Sequence, residues 1–293
     1  ENYGLNPHYG CFNIRGTNTV VERCRFVGWT GGGANIWTGG GATKEQYANS
    51  DSGRYTVFDG CVFENPVDVA VAHPYTNALS CRFGGIYKNN LIKFPETDDD
   101  YWVLGDNTYW ETLGNTSISG TPVFAFGLHD NTQFINNVIH NCECGFHRDT
   151  LPLSHCVIRG NECFNCGYGI LIQMTGGDIA QNISIEDNTF EVRTLNTLAG
   201  RGISFTSNSA TTATFGIKIH NNTIIGETAA DSGFVVANTS GGISSPPFMS
   251  GVSFRNNITG YISEANKGIS TRVFEGSLLN TFQGFNQGTL LPL

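Results

Sequence analysis

The stretch from Gln133 to Gln173 constrains the fold more than any other part of this 293-residue chain. It reads QFINNVIHNCECGFHRDT, then a short connector, then CVIRGNECFNCGYGILIQ, and the second half repeats the first. Asn137 aligns with Asn161, Cys142 with Cys166, Gly145 with Gly169 and Phe146 with Ile170, a period of 24 residues. A unit this short has no core of its own and has to stack on a copy of itself. Its pattern is a short apolar strand, an Asn or Gly turn, a second strand, a polar turn and a third strand. Nothing in it has helical period.

The same turn recurs in VVERCRF, VFDGCVF, ALSCRF, VLGDNTYW, FINNVI, VIRGNECF, SIEDNTF, KIHNNTI and SFRNNIT. Alignment gives a ladder of Cys24, Cys61, Cys81, Asn107, Asn137, Asn161, Asn188, Asn222 and Asn257, in steps of 37, 20, 26, 30, 24, 27, 34 and 35 residues. Asn suits such a turn because its amide satisfies backbone groups and it tolerates left-handed conformations. After each turn comes a strand of period two. Its aligned outward members are Trp37, Ala72, Lys93, Ala125, His147, Leu171, Ser204, Val235 and Ser270. These regularities predict an all-β chain, a single-stranded right-handed parallel β-helix of about nine coils. At the strand spacing of about 4.8 Å the stack is roughly 40 Å long. The whole chain, 1–293, reads as one domain, with residues 1–20 a first partial coil and 274–293 a C-terminal capping tail. The N-terminal edge lacks a matching cap, so an upstream segment or a homo-oligomeric partner is expected to cover it.

Composition narrows the partners. The formal charge is −9 and no basic run exists, which argues against nucleic acid and anionic membrane. No apolar stretch approaches about 18 residues, so no membrane span is expected. No signal peptide is visible, and the chain begins as a mature protein or an excised fragment would. The nine cysteines are an odd number. Cys142 and Cys166 align on adjacent coils, within disulfide reach. Cys24, Cys61 and Cys81 read as a stack of thiols. No cysteine spacing argues for zinc.

The repeat and the asparagine ladder resemble the right-handed parallel β-helix superfamily of pectate lyases, polygalacturonases, alginate lyases, mannuronan epimerases and phage tailspikes. The resemblance covers Cys24 to about Thr271. It implies a polysaccharide-binding groove on the side of the helix. The Asn-Thr-Asp and Gly-His-Gly motifs of polygalacturonases and the Asp-Pro-His motif of the epimerases are absent, and CGFHRD at Cys144 to Asp149 occupies a comparable strand. No catalytic residue carries over by motif.

Ionisable groups concentrate on one patch of an otherwise neutral wall. Lys93 and His147 project from one face, two coils apart, with Ala125 between. The loops after these strands carry His73, Glu96, His129 with Asp130, and Asp149, while Gln173, Thr206 and Ala237 take their place farther along. Two chemistries fit. A glycoside hydrolase needs two carboxylates: Asp130 and Asp149, about 5 Å apart by backbone, match the retaining separation, and Glu96 with Asp149 the inverting one. A uronate lyase or C5-epimerase needs a base, for which Lys93, His147 or His129 would serve, with Arg148 or a calcium ion neutralising the carboxylate. Asp98, Asp99 and Asp100 would hold such a Ca2+, or form a solvated loop; otherwise no cofactor is implied. Arg148 falls in line with inward residues, so it is either substrate-binding or a satisfied structural group. His73 and the loop aromatics Trp37, Tyr101, Trp102 and Trp110 are candidate sugar contacts, since an aromatic face combines apolar area with polar tips. The leading expectation is an extracellular or cell-surface enzyme that cleaves glycosidic bonds in a polysaccharide, hydrolase slightly ahead of lyase or epimerase. The alternative from another class is a non-catalytic carbohydrate-binding adhesin or tailspike-like receptor-binding helix.

Overall fold

The computed structural model describes residues 14, 16–27, 32–34, 54–64, 76–80, 83–93, 123–149, 153–174, 179–193, 200–207, 213–226, 232–238, 248–250, 253–255, 257–261 and 282–283. Among these residues the chain is all β, with no helix, and its strands lie in four sheets of nine, eight, seven and four strands. The strands pair in parallel. The chain enters the nine-, eight- and seven-stranded sheets in turn and then starts again. From Leu153 onward it also passes through the four-stranded sheet on each circuit. This arrangement is compatible with a parallel β-helix.

Side-chain alternation sets the core. In Phe58, Phe63, Tyr87, Phe134, Ile139, Ile158, Ile185 and Ile219 the central residue of a three- or four-residue strand is buried between half-exposed or exposed neighbours. Aromatic rings stack along the axis: Tyr87 lies 5.2 Å from Phe134 and Phe126 5.4 Å from Phe146, both pairs nearly parallel.

The asparagine ladder is real and continuous. From Asn137 to Asn257 each amide oxygen accepts from both the backbone and side-chain N–H of the preceding rung, as Asn161 Oδ1 does from Asn137 N and Nδ2 at 2.9 Å each. Each Nδ2 also donates to a backbone carbonyl, for Asn161 that of Phe134. The residue just before each rung from Cys24 to Asn222 takes the left-handed conformation. Asn89, Asn136, Asp187 and Asn221 tolerate it, as do Gly60 and Gly160, and Arg23 adopts it as well.

One stretch of the expected ladder is corrected. Asn90 is the rung between Cys61 and Asn137: its Oδ1 accepts from Cys61 N, and its own N and Nδ2 donate to Asn137 Oδ1. Strand Ile86–Lys88 pairs with Val57–Asp59 on one side and Gln133–Ile135 on the other. Cys81 and Asn107 therefore hold no rung there, and both lie outside the described residues. The reason is local: IYKNNLI carries the same double-Asn turn as FINNVI, whereas the Cys-x-Phe match at Cys81 is an accident of composition. At the C-terminal end, Phe282–Gln283 of the expected capping tail pairs in parallel with Ser253–Arg255 and extends the nine-stranded sheet.

Candidate functional site

The seven-stranded sheet carries the patch of interest. Its order is Gly32–Ala34, Thr76–Ser80, Val123–Gly127, Cys144–Asp149, Tyr168–Met174, Arg201–Ser207 and Ser232–Asn238. The expected register holds from Cys144 onward: Phe146, Ile170, Ile203 and Phe234 align, as do His147, Leu171, Ser204 and Val235. Before that it shifts by two residues. Phe126 pairs with Phe146 and Gly127 with His147, so Ala125 is not the neighbour of His147. A two-residue slip preserves the in–out alternation, which is why the apolar pattern alone did not reveal it.

The expected pairing of Lys93 with His147 is overturned. Lys93 ends strand Leu91–Lys93 in the eight-stranded sheet and pairs with His140, whereas His147 belongs to the seven-stranded sheet. Its misplacement follows from the misassigned rung at Cys81.

The remaining sequence candidates separate by environment. Asp130 Oδ1 accepts the backbone N–H of Ser154 at 2.7 Å, bridging to the next circuit. His129 is buried; its Nδ1 accepts the backbone N–H of Asp130 and its carbonyl accepts the Thr132 hydroxyl. Both residues thus brace a turn. Arg148 is buried in register with the core residues Ile172 and Phe205, and its Nη1 donates to Leu128 O at 2.8 Å. His147 faces outward, half-buried, with Nε2 3.3 Å from Gln173 Oε1. A Cβ placed on the adjacent Gly127 would meet none of the described residues within 4 Å. The backbone of Asp149 pairs with that of Gln173. His73, Glu96, Asp98, Asp99, Asp100, Trp37, Tyr101, Trp102 and Trp110 lie outside the described residues.

The structure adds a group that sequence reasoning missed. Gly145 and Gly169 face the core: a Cβ at Gly145 would sit 2.6 Å from Cys163 Sγ, and one at Gly169 2.5 Å from the Phe190 ring. Phe146 and Ile170, which follow them, face the core too. Two inward residues in succession reverse the alternation, so Cys144 and Tyr168 come out on the same side as His147 and Leu171. Cys144, Tyr168 and Leu171 accordingly form a small apolar cluster separate from the main core. The Arg201 guanidinium lies 5.9 Å from the centre of the Tyr168 ring.

Glu143 sits at the edge of this cluster. Its carbonyl accepts the Tyr168 backbone N–H at 2.7 Å. Its side chain is buried, and Oε2 has no hydrogen-bond partner. Loss of hydration pushes its carboxyl up to about 8. Burial also pushes the Tyr168 phenol up, with the Glu143 charge adding to the effect and that of Arg201 opposing it. Ser204, next to Leu171 in the outward row, is buried with an unpartnered hydroxyl oxygen. One signal for Glu143 was present in the sequence: its 24-residue twin is Gly167, so the charge is not a requirement of the repeat.

This arrangement can store a proton near neutral pH on a poorly hydrated carboxyl beside an apolar surface. Among the described residues no group of three or more His, Cys, Asp or Glu side chains is placed to hold a metal ion. No helix among them is long and apolar enough to cross a membrane. Comparison of the chain with known protein families, with curated proteins and with solved structures finds no match.

Proposed function

We propose that this chain is a right-handed parallel β-helix of about nine coils that acts on a polysaccharide outside the cell, and that it cleaves glycosidic bonds on the outer face of the seven-stranded sheet. One observation carries the reading: Glu143 is a buried carboxyl with an unpartnered oxygen, and loss of hydration pushes it up to about 8. A carboxylic acid that keeps its proton at neutral pH is what protonation of a departing glycosidic oxygen requires. Cys144, Tyr168 and Leu171, themselves buried, give that carboxyl its apolar surroundings. Among the described residues nothing crowds Gly127, the neighbour of His147.

In this mechanism Glu143 donates its proton to the leaving oxygen as the C–O bond breaks. A water molecule attacks the oxocarbenium-like carbon from the opposite face, and His147 takes its proton. His147 lies four positions after Glu143, at most roughly 13 Å of extended backbone. An inverting enzyme holds its two groups about 6.5–9.5 Å apart, and the mechanism requires these side chains to close to that span.

A second reading, sugar binding without cleavage, is favoured by Asp130, whose carboxylate is already engaged with the Ser154 amide. Incubation with a broad panel of polysaccharides distinguishes the readings. New reducing ends without unsaturated products support hydrolysis, products with ultraviolet absorbance near ~235 nm indicate elimination instead, and binding with neither product supports the non-catalytic alternative. With Glu143→Gln the hydrolytic reading expects reducing-end release to fall by at least ~100-fold, the usual contribution of a general acid.

A further inference from the structure

At the end of the eight-stranded sheet's strand Glu162–Cys166, three thiols meet. Cys142, Cys163 and Cys166 are fully buried and none is in a disulfide. Cys142 Sγ lies 3.5 Å from Cys166 Sγ. Cys166 also shares a hydrogen bond with Cys163, so it stands between two thiols. Burial pushes the Cys142 and Cys163 thiols up. Burial acts on Cys166 in the same sense, but the hydrogen bonds from Cys142 and Cys163 outweigh it and bring that thiol down. Cys166 is thus the sulfur best placed to carry negative charge.

Backbone geometry selects the partner. Cys142 and Cys166 occupy neighbouring circuits, and Gly167 N donates to Cys142 O at 3.2 Å. Neighbouring parallel strands lie about 4.8 Å apart, inside the Cα range of about 4.4–6.8 Å that a disulfide spans. Cys163 and Cys166 lie three residues apart on one strand, with a bulge between them. Three residues of extended chain cover about 10 Å, a span the bulge shortens, whereas the cross-circuit pair sits at the strand spacing itself.

We propose that Cys142 and Cys166 form an oxidation site that closes to a disulfide joining two successive circuits, with hydrogen peroxide as the oxidant. Burial excludes bulky disulfides, whereas peroxide is small and uncharged. The Cys166 thiolate attacks one peroxide oxygen, the O–O bond breaks, and the departing hydroxide is protonated to water, leaving a sulfenic acid. Cys142 then gives up its proton, and its sulfur attacks the Cys166 sulfur. The S–O bond breaks, and the expelled hydroxide takes up that proton as a second water. Two thiols and one peroxide become one disulfide and two waters. The link closes a loop of the 24-residue period and restricts the unfolded chain.

The test treats the intact protein with hydrogen peroxide or, separately, with oxidised glutathione, blocks residual thiols under denaturing conditions and maps the peptides. The expected result is a Cys142–Cys166 cross-link under peroxide, absent or much slower under oxidised glutathione, with a higher urea midpoint in the oxidised protein. Cys163→Ser should retain the link and Cys142→Ser should lose it. If Cys142→Ser does not fold, the wild-type map and Cys163→Ser decide the question. A Cys163–Cys166 link, over-oxidation of Cys166 with Cys142 still reduced, or unchanged thiols would each overturn the proposal.

Discussion

Asn161→Ala probes the ladder at its centre. The amide makes four buried hydrogen bonds: it accepts from Asn137 N and Nδ2 and donates to Phe134 O and Asn188 Oδ1, all within 3.0 Å. Not all four losses are equal. Asn137 Nδ2 keeps its bond to Tyr87 O, and Asn188 Oδ1 keeps the one from Asn161 N. Phe134 O and Asn137 N lose the ladder bond. At about 1–3 kcal/mol for each buried group left unsatisfied, the expected loss is about 4 kcal/mol. With a urea slope of about 3 kcal/mol per M, the midpoint falls by more than 1 M, on the order of 1.3 M. The control is Asn165→Gly. Asn165 is half-buried, bonds to Asn141 Oδ1, and has a positive φ of 57° that glycine accepts. Water replaces its contacts, so the expected cost is below about 1 kcal/mol. Urea unfolding followed by far-ultraviolet circular dichroism measures both. A midpoint for Asn161→Ala no lower than that of Asn165→Gly would refute the reasoning, because the ladder would then be decoration on a fold held by its apolar core.

Glu143 makes stability fall with rising pH. The unfolded carboxyl ionises near 4.5 and the folded one near 8, so its contribution is complete below 4.5 and is lost progressively up to about 8. The span is worth on the order of a few kcal/mol, and Glu143→Gln should flatten that part of the urea-midpoint-versus-pH curve; an unchanged curve would contradict the burial argument. If Glu143 is also the acid, hydrolysis should decline above about pH 8 in the wild type. Gly160→Ala should cost about 1–2 kcal/mol, since φ is +66° and the new methyl collides with Asn136 Oδ1; a neutral effect in thermal unfolding would count against the tight turn stack. Arg148→Met should alter stability without weakening oligosaccharide affinity, whereas His147→Ala should weaken affinity and leave stability within about 0.5 kcal/mol. Isothermal titration reads the difference, and the opposite split would reverse the inward and outward assignments.

The fold was legible because period and chemistry coincide. Asn137, Asn161, Asn188, Asn222 and Asn257 each repeat an amide that bonds both to its neighbour rung and to the backbone, and such a position leaves a fixed mark in every unit. The register from Phe146 onward was legible for the same reason. Failure came where Asn90 follows a turn whose next rung, Asn137, lies 47 residues on. Spacing loses its force across such an insertion, and composition-matched decoys such as Cys81 compete. The site was harder to see. His147 stood out against its apolar twin Leu171, but Glu143 escaped because the strand reverses its alternation at Gly145. That reversal is written in contacts between Gly145 and Cys163 and between Gly169 and Phe190, which a linear pattern does not contain. Asp130 and Arg148 misled in the other direction. Both are charged, and each holds a backbone group of its own scaffold, the Ser154 N–H and the Leu128 carbonyl.

The most direct test of the central claim is reducing-end release from a polysaccharide panel by the wild type and by Glu143→Gln, with oligosaccharide affinity measured on the same preparations. The account predicts release by the wild type, a loss of at least ~100-fold in the variant, and affinity retained. Release by Glu143→Gln at the wild-type rate, or binding by both proteins with no release from any member of the panel, would contradict it.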